Sequence, residues 1–483
     1  MLAIKLMIFL ITGFLTYVVK SDVSLCDICQ CTDNLLNCTE KVSTGILNLT
    51  NYENALLNIE IMHFDFNKIV RVKSFPSSKV NYLSLQHNDI SEIDDYAFEN
   101  LLSLTNLDLS YNSLTSEILN SNSFKINHKD DANFHASLTH LKLDYNSLNS
   151  LQANTFKHLR RLQSLSLAGN PFRVIDRLTS SALSSLPSLK HLDLSSTMLK
   201  SLPEHFLDIP RLLMSLNLSK NDFKQVPPEL AEAHKLNRLD LSYNPIKNIS
   251  NFPKIPWLKI LHLSHMPELL TIEERAFSLL SNLEEFHCSY NIKLFSIAPN
   301  AFQYEPNDDS EGVKWPQIVK LNLNNNALGY LDSNLLSRWD TLIELNLQGN
   351  KWICDCENQW LVSTLAPMIE SKHPELLKDF TCQEPIEMRG ISIIELDHRR
   401  YHMRCLDSYN NRPEKDGVLL VGILIGVMLS VPFTMSIMIY CAKNEKSLTH
   451  YQRMSNFKSS LHRDFHLRET PVYRSTSVNI NGF

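Results

Sequence analysis

The residues with the clearest chemical potential are ten cysteines, eight of which fall in two groups of four. The first group has the spacing C-x2-C-x-C-x6-C and comprises Cys26, Cys29, Cys31 and Cys38. The second begins with C-x-C and comprises Cys354, Cys356, Cys382 and Cys405. Such groups form either disulfides or a zinc site. Even grouping at two places in a secreted chain favours disulfides, with three pairings possible in each group.

Spacings typical of catalysis or nucleotide binding are absent from the sequence: there is no HExxH, GxSxG, GxGxxG or GxxxxGK[ST]. Glycine, which phosphate-binding loops need, accounts for only 11 of 483 residues. The formal net charge of −6 argues against a nucleic-acid partner, because such proteins usually carry a basic surplus. We therefore expect no enzyme activity, no cofactor, no catalytic metal and no nucleic-acid binding.

Between the two cysteine groups, the pattern LxxLxLxxN recurs about twelve times, mostly at steps of 21–27 residues. The alternating LxL predicts a short strand whose leucines face one side, and stacked copies bury those leucines against each other. We expect the Asn to hydrogen-bond backbone groups of adjacent turns. Thr197 replaces it in one copy and keeps a hydroxyl; Met266 replaces it in another, where we expect a local irregularity.

This pattern resembles the extracellular leucine-rich repeat family, and the cysteine groups resemble its N- and C-terminal caps. The resemblance implies an α/β fold, a curved horseshoe solenoid with a parallel concave sheet and disulfide caps. It further implies the pairs Cys26–Cys31, Cys29–Cys38, Cys354–Cys382 and Cys356–Cys405. The repeats and caps are similar to Toll-like receptor ectodomains, but the tail is too short for their intracellular signalling domain.

Apolar runs near both ends predict a membrane topology. Residues 1–21 read as a signal peptide, with a signal anchor as the alternative. Residues 417–442 carry no charged side chain and predict one transmembrane helix. Seven basic and three acidic residues follow, which places the tail in the cytoplasm of a type I plasma-membrane protein. The predicted order is signal peptide 1–21, N-terminal cap 22–58, repeats 59–350, C-terminal cap 351–406, stem 407–416, transmembrane helix 417–442 and tail 443–483.

Two columns of side chains on the predicted sheet are candidate ligand contacts. Asp240, His262 and His287 lie between the leucines of consecutive repeats, and with His265 nearby they form either a pH-sensitive or metal-binding patch or an ordinary polar lining. A second column, immediately before the Asn, is aromatic, and we read it either as protein-contact anchors or as partly buried lining. Its members are Phe66, Tyr111, Tyr145, Tyr243 and Tyr290.

Other features leave alternatives open. Two long steps, Ser116–Ala136 and Gln303–Gln317, are either tolerated insertions or loops that contact a partner or are cleaved. Cys288 takes a leucine position and should be buried, whereas Cys441 at the inner membrane edge is either palmitoylated or a free thiol.

Modification, dimerisation and sorting motifs are also present. Gly422 and Gly426 fit a helix–helix dimer contact or a chance pair, and Tyr451-x-x-Met454 resembles an endocytic sorting signal or a phosphotyrosine site. Four sequons predict glycosylation, and the third points to the concave side, where a glycan would block the middle of the sheet: Asn37, Asn48, Asn217 and Asn248.

Together these observations predict a cell-surface recognition protein, either an adhesion molecule or a receptor, that binds an extracellular protein on its concave face and signals through partners. Homo- or heterodimers through the ectodomain or through Gly422 and Gly426 fit the same reading. The alternative is an auxiliary subunit of another membrane receptor or channel.

Overall fold

A computed structural model describes residues 24–125, 137–305, 314–336, 342–372, 374–405 and 413–456. Residues up to Met403 form one compact unit, and residues from Arg404 onward form another. The first unit contains the repeats and most of the cysteines. The second contains one long helix.

The first unit is a stack of coils, each of which adds one short strand to a single sheet. Twelve repeats each supply a strand with the following bounds: Ile61–His63, Tyr82–Ser84, Asn106–Asp108, His140–Lys142, Ser164–Ser166, His191–Asp193, Ser215–Asn217, Arg238–Asp240, Ile260–His262, Glu285–His287, Lys320–Asn322 and Glu344–Asn346. Gln30–Cys31 and Leu35–Asn37 precede them, giving 14 described strands in spatial order along the chain. Only the first pair is antiparallel.

The register explains why the repeat spacing folds this way. The residue at the centre of each repeat strand, a leucine in all but Met62 and Phe286, pairs with its counterpart in the next coil, as Leu165 does with Leu141 and Leu192. These leucines are buried, and a fully buried leucine contributes roughly 1.5–3 kcal/mol. The predicted leucine-rich repeat solenoid with a parallel sheet is confirmed.

Short strands and buried phenylalanines form the side of the coils opposite the broad sheet. Two three-stranded sheets comprise Ile46–Leu47, Arg71–Val72 and Glu92–Ile93, and then Asn248–Ile249, Thr271–Ile272 and Ser296–Ile297. The recurring Ala-Phe or Thr-Phe pairs place their rings in the core, where Phe277 packs 5.0 Å from Phe302. Among the described residues, the α-helices are Leu25–Ile28, Glu53–Leu56, Arg177–Ser184, Ala366–Lys372, Ile393–His398 and Pro413–Asn456.

The repeated asparagines join neighbouring coils. Asn170 donates through Nδ2 to the carbonyls of Leu143 (2.8 Å) and Leu167 (2.9 Å), and its Oδ1 accepts from the N–H groups of Asn146 and Leu148. One side chain therefore satisfies backbone groups in two coils.

The coils keep their structure at the two positions where Thr197 and Met266 replace the repeated asparagine. Thr197 keeps one of these bonds, from Oγ1 to the Leu194 carbonyl at 2.6 Å. The expected irregularity at Met266 is wrong for the sheet, because the strands on either side stay in register. Met266 is buried, and its own N–H donates to Oδ1 of Asn291. The coil loses only the side-chain bridge that an asparagine would make.

Disulfides lie near both ends of the repeat unit. The structure pairs Cys26 with Cys31, Cys29 with Cys38, and Cys354 with Cys382. Cys356 and Cys405 are also disulfide-bonded. At the C-terminal end, buried Trp352 packs edge-on against Phe380 and donates its indole N–H to the Leu347 carbonyl.

The first long repeat step is partly core rather than loop. Leu119 and Phe124 are buried, and Phe124 lies 6.2 Å from Phe156, so the beginning of the Ser116–Ala136 segment completes an ordinary coil. The surplus is therefore shorter than expected. Residues 126–136, and residues 306–313 of the second long step, lie outside the described part of the chain.

The two unpaired cysteines differ in environment. Cys288 is fully buried, as predicted, and burial raises the pKa of its thiol to about 12. Cys441 lies exposed on the long helix. Within that helix, Gly417–Asn444 is long and apolar enough to cross a membrane, and it is the one such segment among the described residues.

Candidate protein-binding surface

A column of residues runs along one edge of the sheet. Each member comes immediately before the repeated asparagine, or before Thr197 or Met266 where these replace it; we call it the rung column. All twelve members have left-handed backbone conformations, with φ between 50° and 70°. Because every coil repeats the same turn in register with its neighbours, successive side chains leave the backbone in the same direction. The column comprises Phe66, His87, Tyr111, Tyr145, Gly169, Ser196, Lys220, Tyr243, His265, Tyr290, Asn325 and Gly349.

The first four rungs form a continuous stack of rings, the first ladder. Phe66 lies 4.3 Å from His87, His87 lies 4.2 Å from Tyr111, and Tyr111 lies 4.5 Å from Tyr145, measured between ring centroids. The interplanar angles are 9–11°, so each ring lies nearly parallel to the next. Each ring is therefore held by its neighbours in the unbound protein.

Three further rungs form the second ladder. His265 stacks between Tyr243 at 4.5 Å and Tyr290 at 4.7 Å, with interplanar angles of 5° and 2°. The Lys220 ammonium lies 5.3 Å from the centroid of the Tyr243 ring, which is cation–π distance. The ladder thus ends on a cation supplied by the chain itself.

The rings stay in contact with solvent despite the stacking. Phe66 and the four tyrosines of the two ladders are 42–51 % exposed. Rigid, exposed aromatic side chains are favoured contacts in protein interfaces, because they bury large area at low entropic cost. The rings are thus about half-exposed, so the column stays a candidate for protein contact, with a partly buried lining as the alternative.

The second candidate column lies on the sheet itself. Asp240, His262 and His287 occupy the same register position on consecutive strands, and the two imidazoles stack at 4.5 Å. Nδ1 of His287 lies 3.0 Å from the Asn322 amide, and its Nε2 lies 3.4 Å from Glu285. Parallel rings direct their nitrogens side by side rather than toward a common ion, and the described residues contain no metal-binding cluster.

His262 is a poor pH sensor. Burial lowers the pKa of its imidazole to about 4, and the neighbouring His287 acts in the same direction. His262 therefore stays neutral between pH 5 and 7. His265, which we expected beside this pair, instead lies in the rung column, between Tyr243 and Tyr290.

Asp144 is a sheet-side group whose pKa lies in the mildly acidic range. Burial raises the pKa of its carboxyl to about 6, and the carboxylates of Asp193 and Asp108 add to the shift. The Ser166 hydroxyl and the Ala168 N–H oppose it by hydrogen bonding to the ionised form.

The remaining predicted sites are separated in space. Asn217 lies on the sheet, where its Nδ2 donates to Asp193 at 2.9 Å, whereas Asn48 and Asn248 are exposed at the opposite short sheets. Half-buried Asn37 accepts from the N–H of Thr39.

Gly422 and Gly426 lie on the long helix, where a Cβ added to either glycine would have nothing within 4 Å among the described residues. The predictions for residues 1–21, Tyr451 and Met454 lie outside the residues whose side chains are described.

Counting back from the bridging residue could have found the rungs that sequence reasoning missed. His87 precedes Asn88 and His265 precedes Met266, so both belong to the aromatic column. A column restricted to Phe and Tyr omits these two histidines, which stack between Phe66 and Tyr111 and between Tyr243 and Tyr290.

A family model described as Leucine rich repeat matches residues 78–125 and 118–172. Toll-like receptor 2 type-1 of Gallus gallus is 26% identical to this chain over 194 residues, which are 38% of this chain and 24% of the relative. Leucine-rich repeat transmembrane protein FLRT2 of Mus musculus is 27% identical over 212 residues, which are 38% of this chain and 29% of the relative. The matched part thus spans about a quarter of each relative's length.

Among solved structures, the fold is similar to one of the Toll–Spatzle complex of Drosophila, with a TM-score of 0.44 and 18% identity, covering 70% of this chain and 54% of that one. An internalin from Listeria monocytogenes has a TM-score of 0.39 and 21% identity, covering 62% of this chain and 83% of that one.

Proposed function

We propose that this leucine-rich repeat chain is a single-pass cell-surface protein that binds an extracellular protein on its sheet side, with the two aromatic ladders as the principal contacts. One observation carries the proposal: seven rings, five of them exposed and two of them half-buried imidazoles, are held in two rigid stacks along one edge of the sheet. Their geometry is fixed by the backbone, so binding does not have to order them.

The relatives support the general role rather than a particular ligand. Two of them are, by name, a Toll-like receptor and a leucine-rich repeat transmembrane protein, and the apolar helix Gly417–Asn444 is consistent with a membrane anchor. These support a receptor or adhesion role; that signalling passes through partners is part of the proposal.

The membrane topology belongs to the same proposal. Residues 1–21 act as a signal peptide, the repeats face the outside, and the basic segment 443–483 lies in the cytoplasm. Glycans on Asn48 and Asn248 would then leave the sheet side open, since both asparagines are exposed at the opposite side of the coils. Asn217 lies on the sheet itself, so the proposal requires this third sequon to be unmodified or its glycan to lie clear of the ladders. Dimerisation through Gly422 and Gly426 and sorting through Tyr451 and Met454 are compatible additions.

A cell-surface screen tests the proposal. The full-length protein is displayed on cells and probed with a collection of secreted proteins and soluble ectodomains. We expect at least one probe to bind reproducibly and to compete with an antibody fragment mapped to the ladder edge. Recovery of only a co-resident receptor or channel, with no binding in trans, would contradict the proposal and favour the auxiliary-subunit reading.

A further inference from the structure

A row of basic side chains crosses four consecutive coils. Each member comes three residues after the repeated asparagine, or after Thr197 where this replaces it, and directly follows a buried apolar residue. We call it the basic row, and it comprises Arg173, Lys200, Lys224 and Lys247. The other eight coils have no basic residue at this position, which is taken by Val70, Ser91, Thr115, Asn149, Leu269, Leu294, Gly329 and Ile353.

The coils hold the members of the basic row in line. The strands of these four coils pair in parallel with no shift in register. Beside the row, the N–H of Asp222 donates to the Leu199 carbonyl of the preceding coil at 2.8 Å. At about 4.8 Å or slightly more per coil, the four positions span roughly 15 Å. The backbone therefore fixes a straight line of evenly spaced cations.

No carboxylate of the described chain neutralises the basic row. All four side chains are exposed, and none forms an ion pair or side-chain hydrogen bond with another described residue. The segments that carry them, residues 171–175, 198–202, 222–226 and 245–249, contain four basic side chains and one acidic one, Asp222. This local excess of positive charge lies in a chain whose net charge is −6.

Cations at other positions of the solenoid are treated differently. Several pair with a carboxylate of the neighbouring coil, and these pairs are Arg71–Asp94, Lys142–Asp108, Lys259–Glu284, Lys293–Glu268 and Lys320–Glu285. The basic row repeats the same charge on successive coils instead, so its members repel one another. An anionic partner relieves that repulsion.

The arrangement of the charges favours one class of partner. A line of evenly spaced cations fits a linear polymer with closely spaced anionic groups, which releases its bound counterions when it binds. A globular acidic protein distributes its carboxylates over a curved surface. A bilayer is also disfavoured, because anionic lipid is concentrated in the cytoplasmic leaflet and the repeats face the outside in the proposed topology. Sulfated polysaccharides are linear extracellular polymers with the required charge.

We propose that the basic row binds a sulfated polysaccharide, as a second partner beside the protein ligand of the ladders. The proposal rests on the extracellular position of the repeats in the proposed function, but not on the ladders. Lys247 belongs to the same coil as Tyr243, so the row reaches the coil at which the second ladder begins. A polysaccharide on the row and a protein on the ladders would therefore bind neighbouring surfaces.

Heparin binding tests the proposal. The full-length protein, in nanodiscs of zwitterionic lipid, is titrated with fluorescent heparin, with chemically desulfated heparin and with polyglutamate of similar length. We expect heparin alone to bind at about 0.15 M salt, and its affinity to fall steeply as salt is raised.

A quadruple variant locates the binding on the basic row. It combines Arg173→Gln, Lys200→Gln, Lys224→Gln and Lys247→Gln. We expect heparin affinity to fall at least about tenfold, because four charge contacts are lost. The matched control removes four exposed lysines outside the row and should bind as wild type; it combines Lys41→Gln, Lys157→Gln, Lys235→Gln and Lys254→Gln.

Two single variants refine the position. Lys224→Glu reverses one charge inside the row and should weaken heparin binding more than Lys157→Glu does. Asn248, a sequon residue, directly follows Lys247, so a glycan there would lie at one end of the row. Asn248→Gln should therefore bind heparin at least as tightly as wild type. Thermal unfolding of every variant is compared with wild type before titration.

Several outcomes would overturn the polysaccharide site. These are wild-type affinity in the quadruple variant, an equal loss in its matched control, or equal binding of heparin and desulfated heparin. Polyglutamate that binds as tightly as heparin would assign the row to an acidic protein instead. If heparin fails while a protein ligand still depends on the ladder tyrosines, the polysaccharide site falls and the proposed function stands.

Discussion

The ring of Tyr145 occupies the space that a side chain at position 169 would need. A Cβ built on Gly169 would lie 2.5 Å from Cδ1 of the Tyr145 ring, far inside van der Waals contact. Gly169 has a φ of 70°, which also favours glycine. The end of the first ladder is thus set by one glycine.

Gly169→Ala should destabilise the protein and disorder the first ladder, because it adds both a steric clash and backbone strain. Gly390→Ala is the matched control, since Gly390 has a φ of 82° but nothing within 4 Å of the added Cβ. We expect Gly169→Ala to lose about 1–3 kcal/mol more than Gly390→Ala, measured by thermal or denaturant unfolding. Equal losses would show that the contact with Tyr145 is unimportant; a smaller loss in a Tyr145→Ala background would confirm it.

Asn170→Ala should be strongly destabilising. It removes five side-chain-to-backbone hydrogen bonds inside the stack and leaves buried carbonyls and N–H groups unsatisfied. Each such loss costs about 1–3 kcal/mol, so we expect at least about 2 kcal/mol in chemical denaturation. Lys157→Ala, at an exposed position of the same coil, should change stability little. Similar effects of the two substitutions would be inconsistent with the bridging role.

Reduction should destabilise the unit that holds the repeats. The pairs Cys26–Cys31, Cys29–Cys38 and Cys354–Cys382 lie near its two ends, and loss of a native disulfide typically costs 2–5 kcal/mol. We expect the melting temperature to fall by several degrees in a reductant. Cys441→Ser, which removes an unpaired thiol, should behave as wild type in both conditions. A melting temperature that reductant leaves unchanged would contradict a stabilising role for these bonds.

Asp144 should make stability depend on pH between about 4 and 6. Its pKa is about 6 in the fold and about 3.9 in an unfolded chain, so the folded state binds more protons in this interval. Stability then falls as pH rises from 4 to 6. Asp144→Asn removes this contribution and should be more stable than wild type at pH 7.4, by at most about 3 kcal/mol, but not at pH 4. Parallel stability–pH curves for wild type and variant would refute the assignment.

The fold could be predicted from the sequence because its determinants are periodic. Leu165 lies in a strand, Leu167 follows directly after it and Asn170 comes three residues later, and this spacing recurs in the other coils, so spacing alone specifies the coil. The prediction of a loop throughout Ser116–Ala136 is wrong at Phe124, because this coil departs from the recurring pattern. Ser123-Phe124 replaces the Ala-Phe pair of other coils, so the sequence does not mark Phe124 as a buried ring.

The ladders could be predicted only in part. The column of tyrosines is visible in the sequence. Ring stacking, however, depends on the shared left-handed backbone at the rung position, and this conformation cannot be predicted from the residue types there. The sequence also pointed to the wrong residues as the groups that titrate at mildly acidic pH. Histidines suggested pH sensitivity, yet burial depresses the pKa of His262 and raises that of Asp144, and burial depth is not readable from composition.

The most direct test of the central claim is the affinity of the full-length protein for the ligand that the cell-surface screen recovers, measured for Tyr111→Ala, Tyr243→Ala and Phe295→Ala. Phe295 is the control because it is equally aromatic and exposed but lies beside the short strand Ser296–Ile297, away from the ladders. We predict that each tyrosine variant binds at least about tenfold more weakly, as hot-spot residues do, and that Phe295→Ala binds as wild type. Wild-type affinity in both tyrosine variants would show that the ladders are not the binding surface.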